Sequence, residues 1–310
     1  MSHQYVIGVD FGTQSARAVL ADAHDGTEYT HAVAEYPHGV CETVFPPTGQ
    51  ELGQAWALQA PADYLVVLRA LVNSLLTAGY DPDDVVGIGV DATSCTVLPT
   101  TADGTPLALL DQFAREPHAW AKMWKHHAAQ PHADRINRVF AEQHPEFLVP
   151  YGGRYSCELL LPKAMEVLQE APAVWNAAVR FIELHDWVVW QLCGVERRSA
   201  QAAGSKGSFI PSQGGYPSAE ILESLMPGLS SLTAKLSTDV NPPGTRAGGL
   251  TRQMAADLGL PAGIAVAVGH QDGFAAAIAV GAFKAGRMAL VTGTSVNDIL
   301  LSVEEPNVEG

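Results

Sequence analysis

Basic residues are scarce in this 310-residue chain: 18 Lys and Arg stand against 33 Asp and Glu, a formal net charge of −15 at pH 7. A nucleic-acid binder normally presents a basic face, so the balance counts against that partner class. It says less about small anions, because one local loop can bind phosphate on an acidic protein. Cysteine is sparse too. Cys41, Cys95, Cys157 and Cys193 lie far apart with no Cys-x-x-Cys pair, which excludes a zinc framework or a small disulfide scaffold and fits free thiols in a reducing compartment. Long apolar runs are missing: Phe274–Phe283 is too short to span a bilayer and follows close on Asp272. Met1-Ser2-His3-Gln4 leads straight into a strand pattern, without the cationic and apolar regions of a signal peptide. The expectation is a cytoplasmic, soluble protein with no membrane partner. Its length exceeds the usual single core, so two domains, or one and a part, are expected.

What is present has a definite order. Tyr5–Val9 and Ala16–Ala21 are apolar runs on either side of a turn, and Asp25-Gly26 marks a second hairpin before Glu28–Tyr36. Leu65, Leu68, Leu71, Val72 and Leu75 recur at helical spacing within Pro61–Ala78, which Gly79 ends. Val85–Val90 is a buried strand ending at Asp91, and Thr96–Pro99 with Asp103-Gly104 suggests another strand and turn. Helical periodicity follows over His118–Gln130, Ala133–Gln143, Glu158–Gln169 and His185–Leu192, then a Gly/Ser/Pro-rich loop over Gly204–Pro217. After Asn241-Pro242-Pro243-Gly244 come a helix at Met254–Leu258, a strand at Ile264–Val268, a helix at Phe274–Val280 and a strand at Met288–Val291. Three antiparallel strands, a helix and a strand form the order of the α/β ribonuclease-H-like, actin-like ATPase fold, a mixed sheet flanked by helices. A dinucleotide-binding domain would send its Gly-rich turn directly into a helix. Here Ser15–Leu20 alternates as a strand does.

The first turn, Asp10-Phe11-Gly12-Thr13-Gln14-Ser15, suits phosphate. Gly12 allows backbone N–H groups close to an anion, Thr13 and Ser15 add hydroxyl donors, and Asp10 is a hard ligand for Mg²⁺, directly or through water. An ordinary hairpin with an Asp in its turn is the alternative. Met288–Ser295 repeats the arrangement with Gly293, Thr294 and Ser295. Two such turns could grip a nucleotide's phosphates from opposite sides. Arg17 could reach a phosphate or lie as an exposed strand arginine. Asp272 could cap the helix that follows it. Trp124, read alone, is favoured as helix-core packing, which Trp120 also permits. His126, His127, His132 and Asp134 read as solvated surface, not as a metal site, and Glu183, His185 and Asp186 read as core hydrogen bonding.

Together Gly8-Val9-Asp10-Phe11-Gly12-Thr13, Gly87-Ile88-Gly89-Val90-Asp91, Met123-Trp124-Lys125-His126-His127-Ala128, Ala203-Gly204-Ser205-Lys206 and Gly293-Thr294-Ser295 resemble the FGGY carbohydrate kinase family from Tyr5 to the last residues. The Trp-Lys-x-His and Ala-Gly-x-Lys pieces resemble its ribulokinase branch. The resemblance implies ATP and Mg²⁺ as cofactors, Asp272 as the catalytic base toward the sugar hydroxyl, and Ser94, Trp124, Lys206 and Asp272 as sugar contacts. It places Asp10, Gly12, Thr13, Gln14, Ser15, Arg17, Gly293, Thr294 and Ser295 at the nucleotide. Residues 1–263 are then a sugar-binding domain and 264–310 the incomplete start of a nucleotide-binding domain, so the chain resembles a truncated kinase. The implied reaction is ATP-dependent phosphorylation of L-ribulose to L-ribulose 5-phosphate in arabinose catabolism, in a possible homodimer. Alternatives are a kinase for xylulose, ribitol, D-ribulose or glycerol, or a non-catalytic sugar- or nucleotide-binding fragment.

Overall fold

The computed structural model describes residues 4–292 and 296–302. Its centre is a seven-stranded mixed sheet. Across it run Arg246–Gly249, Ala265–Ala267, Val85–Ala92, Tyr5–Phe11, Ser15–Asp22 and Glu28–Glu35, and His270–Gln271 also pairs with Val85–Ala92. The last three strands in that order are antiparallel, whereas Tyr5–Phe11, Ala265–Ala267 and His270–Gln271 all run parallel to Val85–Ala92. The sheet therefore takes strands from both sides of residue 263.

Burial along Tyr5–Phe11 alternates strictly, with Tyr5, Ile7, Val9 and Phe11 buried. Successive side chains on a strand point to opposite faces, so this alternation turns Gly8 and Asp10 away from that core. The helix Pro61–Leu76 starts with proline at its first position and carries Asp63 in its first turn, both favourable at a helix N-terminus. It buries Tyr64, Val67, Leu68, Leu71, Val72 and Leu75 against the sheet and against the helix Leu184–Cys193, where Tyr64 and Trp187 stand 6.1 Å apart. Gly79, with φ of 95°, turns the chain away after the helix.

A second core surrounds a four-stranded sheet ordered Arg180–Glu183, Val97–Thr100, Ala121–Lys122 and Leu58–Gln59, with the helices Gln130–Gln143 and Leu160–Glu170 packed beside it. Here the sequence expectation needs correcting. His118–Gln130 is not a helix: Pro117–Ala119 is a single 3-10 turn, Ala121–Lys122 is a strand paired with Leu58–Gln59, and the helix begins only at Gln130. Tertiary partners override local periodicity. Lys122 and His126 are both buried and converge on the Glu166 carboxylate at 2.9 Å, so His126 is not the solvated surface residue expected. His132 is buried as well. The loop expected from Gly204 begins slightly later, because Ala200–Ser205 is helical.

All four cysteines are free and buried. Among the described residues no helix is long and apolar enough to cross a membrane. After the helix Asp272–Ala279, the hairpin Met288–Thr292 with Val296–Leu300 packs around Ala277, Ala282 and Ala289 and leaves Val280, Phe283, Met288, Leu290 and Leu300 exposed.

Candidate active site

The parallel register explains how the site is built. Gly8, Val9 and Asp10 pair with Gly89, Val90 and Asp91, so the Gly-Val-Asp triplet lies beside its own repeat. Glycines at matched positions leave room on that face, and the carboxylates end up side by side at the carboxyl ends of adjacent strands. His270–Gln271 pairs in parallel with Asp91-Ala92, and Asp272 follows at the first turn of its helix. Ligands of open α/β sheets gather outside the carboxyl ends of the strands. Three aspartates sit there.

Around them lies a cleft of about 600 Å³. Its walls bring together Asp10, Gly12, Thr13, Gln14, Ser15, Arg17, Ser94, Trp124, Lys206 and Asp272, along with Asp91 and Glu158. Every described residue picked from the sequence as a candidate is in that lining. Gly293, Thr294 and Ser295 lie outside the described residues. Asp91 and Glu158 received no role from the sequence. The signal for Asp91 was the repeated Gly-Val-Asp triplet, whereas Glu158 carries no local signature and is brought in by the fold.

The turn after the first strand is tightly held. The Gly12 N–H donates to the Ser15 carbonyl at 3.1 Å, and a Cβ on Gly12 would stand 2.9 Å from that oxygen, so only glycine fits without a shift. The Tyr36 hydroxyl donates to the Gly12 carbonyl at 3.0 Å, and Gln59 Nε2 to the Thr13 carbonyl at 3.0 Å. Gln59 is itself fixed by the Tyr64 hydroxyl at 2.8 Å. Trp124 Nε1 donates to Thr13 Oγ1 at 3.1 Å, which ties the tryptophan to the turn. Trp120, the other tryptophan of that segment, is buried in the core and meets Phe45 edge-on at 4.9 Å.

Electrostatics single out the three aspartates. Burial raises the Asp10 carboxyl, opposed by its hydrogen bond with Asp91 and by the Arg17 guanidinium 3.6 Å away. Burial, then the Asp10 charge beside it, pushes Asp91 up to about 8. Asp10 Oδ1 and Asp91 Oδ1 are both buried without a hydrogen-bond partner. Two adjacent carboxylates with unpartnered oxygens are a donor set that a hard divalent cation fits. Asp272 is also raised, chiefly by burial, while hydrogen bonds from the Gly273 and Ser94 N–H groups and the Lys206 charge pull it back.

Lys206 ends the helix Ala200–Ser205, and that helix is pinned to the strand before Asp272: Gln271 Oε1 accepts from Gln201 Nε2 at 2.8 Å and from Ser205 Oγ at 3.3 Å. Glu183, His185 and Asp186 lie buried beneath. Asp186 accepts the Ser199 N–H at 2.9 Å, but neither Glu183 oxygen has a hydrogen-bond partner. The expected core hydrogen bonding holds for Asp186 and fails for Glu183 and for both ring nitrogens of His185.

A mixed sheet with flanking helices and acidic residues at its strand ends defines an actin-like, ribonuclease-H-like ATPase fold. Solved structures agree: a gluconate kinase from Lactobacillus acidophilus superimposes with a TM-score of 0.76 at 18% identity, over 95% of this chain and 53% of that one. A xylulose kinase from Rhodospirillum rubrum gives 0.74 at 24% identity, over 98% and 56%. The family model described as the N-terminal domain of the FGGY family of carbohydrate kinases matches residues 5–279, and the chain belongs to that family. Among curated relatives, a ribulokinase of Geobacillus thermodenitrificans is 45% identical over the whole of this chain and 55% of its own length. A ribulokinase of Mycolicibacterium smegmatis is 45% identical over 96% of this chain and 53% of its own. The chain thus spans about 55% of the length of the curated relatives it matches.

Proposed function

We propose that this chain carries the sugar-binding part of an ATP-dependent pentulose kinase that converts L-ribulose to L-ribulose 5-phosphate. The observation that carries the reading is the gathering of Asp10, Asp91 and Asp272 at the ends of adjacent parallel strands, in one cleft with Trp124 and Lys206. The 45% identity to ribulokinases supports the choice of ribulose within the family.

In this reading the terminal sugar hydroxyl attacks the γ-phosphorus of ATP. A new P–O bond forms, the bond to the β-phosphate oxygen breaks, and ADP leaves. Asp272 takes the hydroxyl proton. Phosphoryl transfer has a loose transition state, so the proton leaves late and the position of Asp272 matters more than its basicity. Its raised pKa helps within that limit. Trp124 offers an apolar ring face to the sugar, Lys206 donates to its oxygens, and Ser94 flanks Asp272 through its N–H. The turn 10–15 faces the phosphates, with Arg17 at its edge and Gly293, Thr294 and Ser295 proposed as its counterpart. Asp10 and Asp91 would hold Mg²⁺, which when bound neutralises phosphate charge.

The test is ADP release by full-length protein supplied with MgATP and L-ribulose. Ribulose-dependent ADP release is expected, and its absence refutes the reading. Asp272→Asn should lower kcat by about 10²–10⁴, the usual worth of a positioned general base.

A further inference from the structure

Lys163, fourth residue of the helix Leu160–Glu170, is fully buried and does not line the cleft. Its ammonium donates to the Cys95 carbonyl at 2.5 Å and to the Met123 carbonyl at 2.7 Å. These acceptors are remote from it in sequence, by 68 and 40 residues. Each is the chain neighbour of a cleft residue: Cys95 follows Ser94, and Met123 precedes Trp124.

Three observations set this contact apart from ordinary packing. Among the described residues Lys163 forms no salt bridge, and Glu183 and Glu158 act on it only from farther away, so its charge is buried without a direct ion pair, an expensive arrangement. Burial duly pushes its pKa down. A methionine would fill similar volume at far less desolvation cost. Finally, Cys95 adopts a left-handed conformation, φ 59°, which a non-glycine residue holds only when its surroundings enforce it. The lysine bond on the Cys95 carbonyl is such an enforcement, next to the Ser94 N–H that reaches Asp272.

We infer that Lys163 is a positioning residue of the sugar site, a buried brace that fixes the Ser94 loop and the Trp124 loop relative to each other. The inference rests on the reading of Ser94 and Trp124 as sugar contacts. A brace of this kind acts first on sugar binding, because Lys163 hydrogen-bonds no residue of 10–15 and reaches that turn only through Trp124, whose Nε1 donates to Thr13 Oγ1.

The experiment measures both KM values in full-length Lys163→Met, with a double-mutant cycle to Trp124→Phe. Loss of hydrogen bonds from a charged donor predicts a sugar KM about tenfold or more higher with the ATP KM within about twofold. Trp124→Phe should then cost less in the Lys163→Met background than in the unsubstituted protein. A sugar KM that does not move, an equal rise in both KM values, or strict additivity overturns the inference. If Lys163→Met does not fold, Lys163→Gln is followed by hydrogen–deuterium exchange: residues 93–97 and 122–126 should exchange faster while 5–11 does not. Uniform acceleration, or none, overturns it. Failure of the functional reading looks different, since the unsubstituted protein then shows no ribulose-dependent turnover, and the exchange measurement still decides the role of Lys163.

Discussion

Glu183 is a buried residue whose energetics depend on pH. It is fully buried, neither oxygen is hydrogen-bonded, and burial pushes its carboxyl up to about 8 against the partial opposition of the Lys163, Lys206 and Arg198 charges. In the folded state it keeps a proton that the unfolded chain releases near pH 4.5. Its contribution to stability is therefore complete below that value and is lost as pH rises toward 8. The limit for one proton is about 1.4 kcal/mol per pH unit. Glu183→Gln, neutral at every pH and of the same shape, should flatten part of the fall in melting temperature between pH 6 and 8. Identical slopes for the two proteins would show that Glu183 is not protonated in the fold. The same chemistry distinguishes Asp91, raised by burial and by Asp10, from Asp272, which two backbone N–H groups partly restrain. Burial acts on both carboxylates, and their neighbours reinforce it at Asp91 and partly offset it at Asp272.

Among the elements, the helix Pro61–Leu76 supports the strands that carry the aspartates. Leu68 is fully buried at its centre among Ile7, Val9 and their neighbours in the sheet core. Leu68→Ala should lower unfolding free energy by about 2–5 kcal/mol, the range for a large-to-small change in a core. Chemical denaturation measures it, and a loss under about 1 kcal/mol would mean that the site collapses around the cavity. This helix and the three opening strands were legible in the sequence because their burial is periodic and their turns carry glycine or proline. Segment 118–130 was not. His118, Trp120, Lys122 and His126 are fixed by partners remote in sequence, Trp56 and Glu166 among them, and no local pattern reports such partners. For the same reason Glu158 and Lys163 went unseen. A lone polar residue on a helix gives no sign of facing a cleft or two remote carbonyls. Asp10, Trp124, Lys206 and Asp272 were legible through family motifs, and Asp91 only as the echo of a triplet.

At the scale of the whole molecule, the cleft is lined by the strand ends and the 12–15 turn of the first core, by Trp124 and Glu158 beside the second core, and by the helix Asp272–Ala279. The braces come from two sides: the turn 10–15 is held by Tyr36 and Gln59, and the Ser94 and Trp124 loops by Lys163. The hydrogen bond from Trp124 Nε1 to Thr13 Oγ1 joins the two sets of braces. Apolar residues are exposed on the hairpin that follows the helix Asp272–Ala279, Met288 and Leu290 among them. The central claim is that the cleft selects a ketopentose for phosphorylation at the expense of ATP. The most direct measurement is kcat/KM of the full-length protein across L-ribulose, D-ribulose, xylulose, ribitol and glycerol with MgATP. Discrimination is read from those ratios. The account predicts the highest value for L-ribulose, with glycerol far below it; equal values across the panel, or no sugar-dependent ADP release at all, would contradict it.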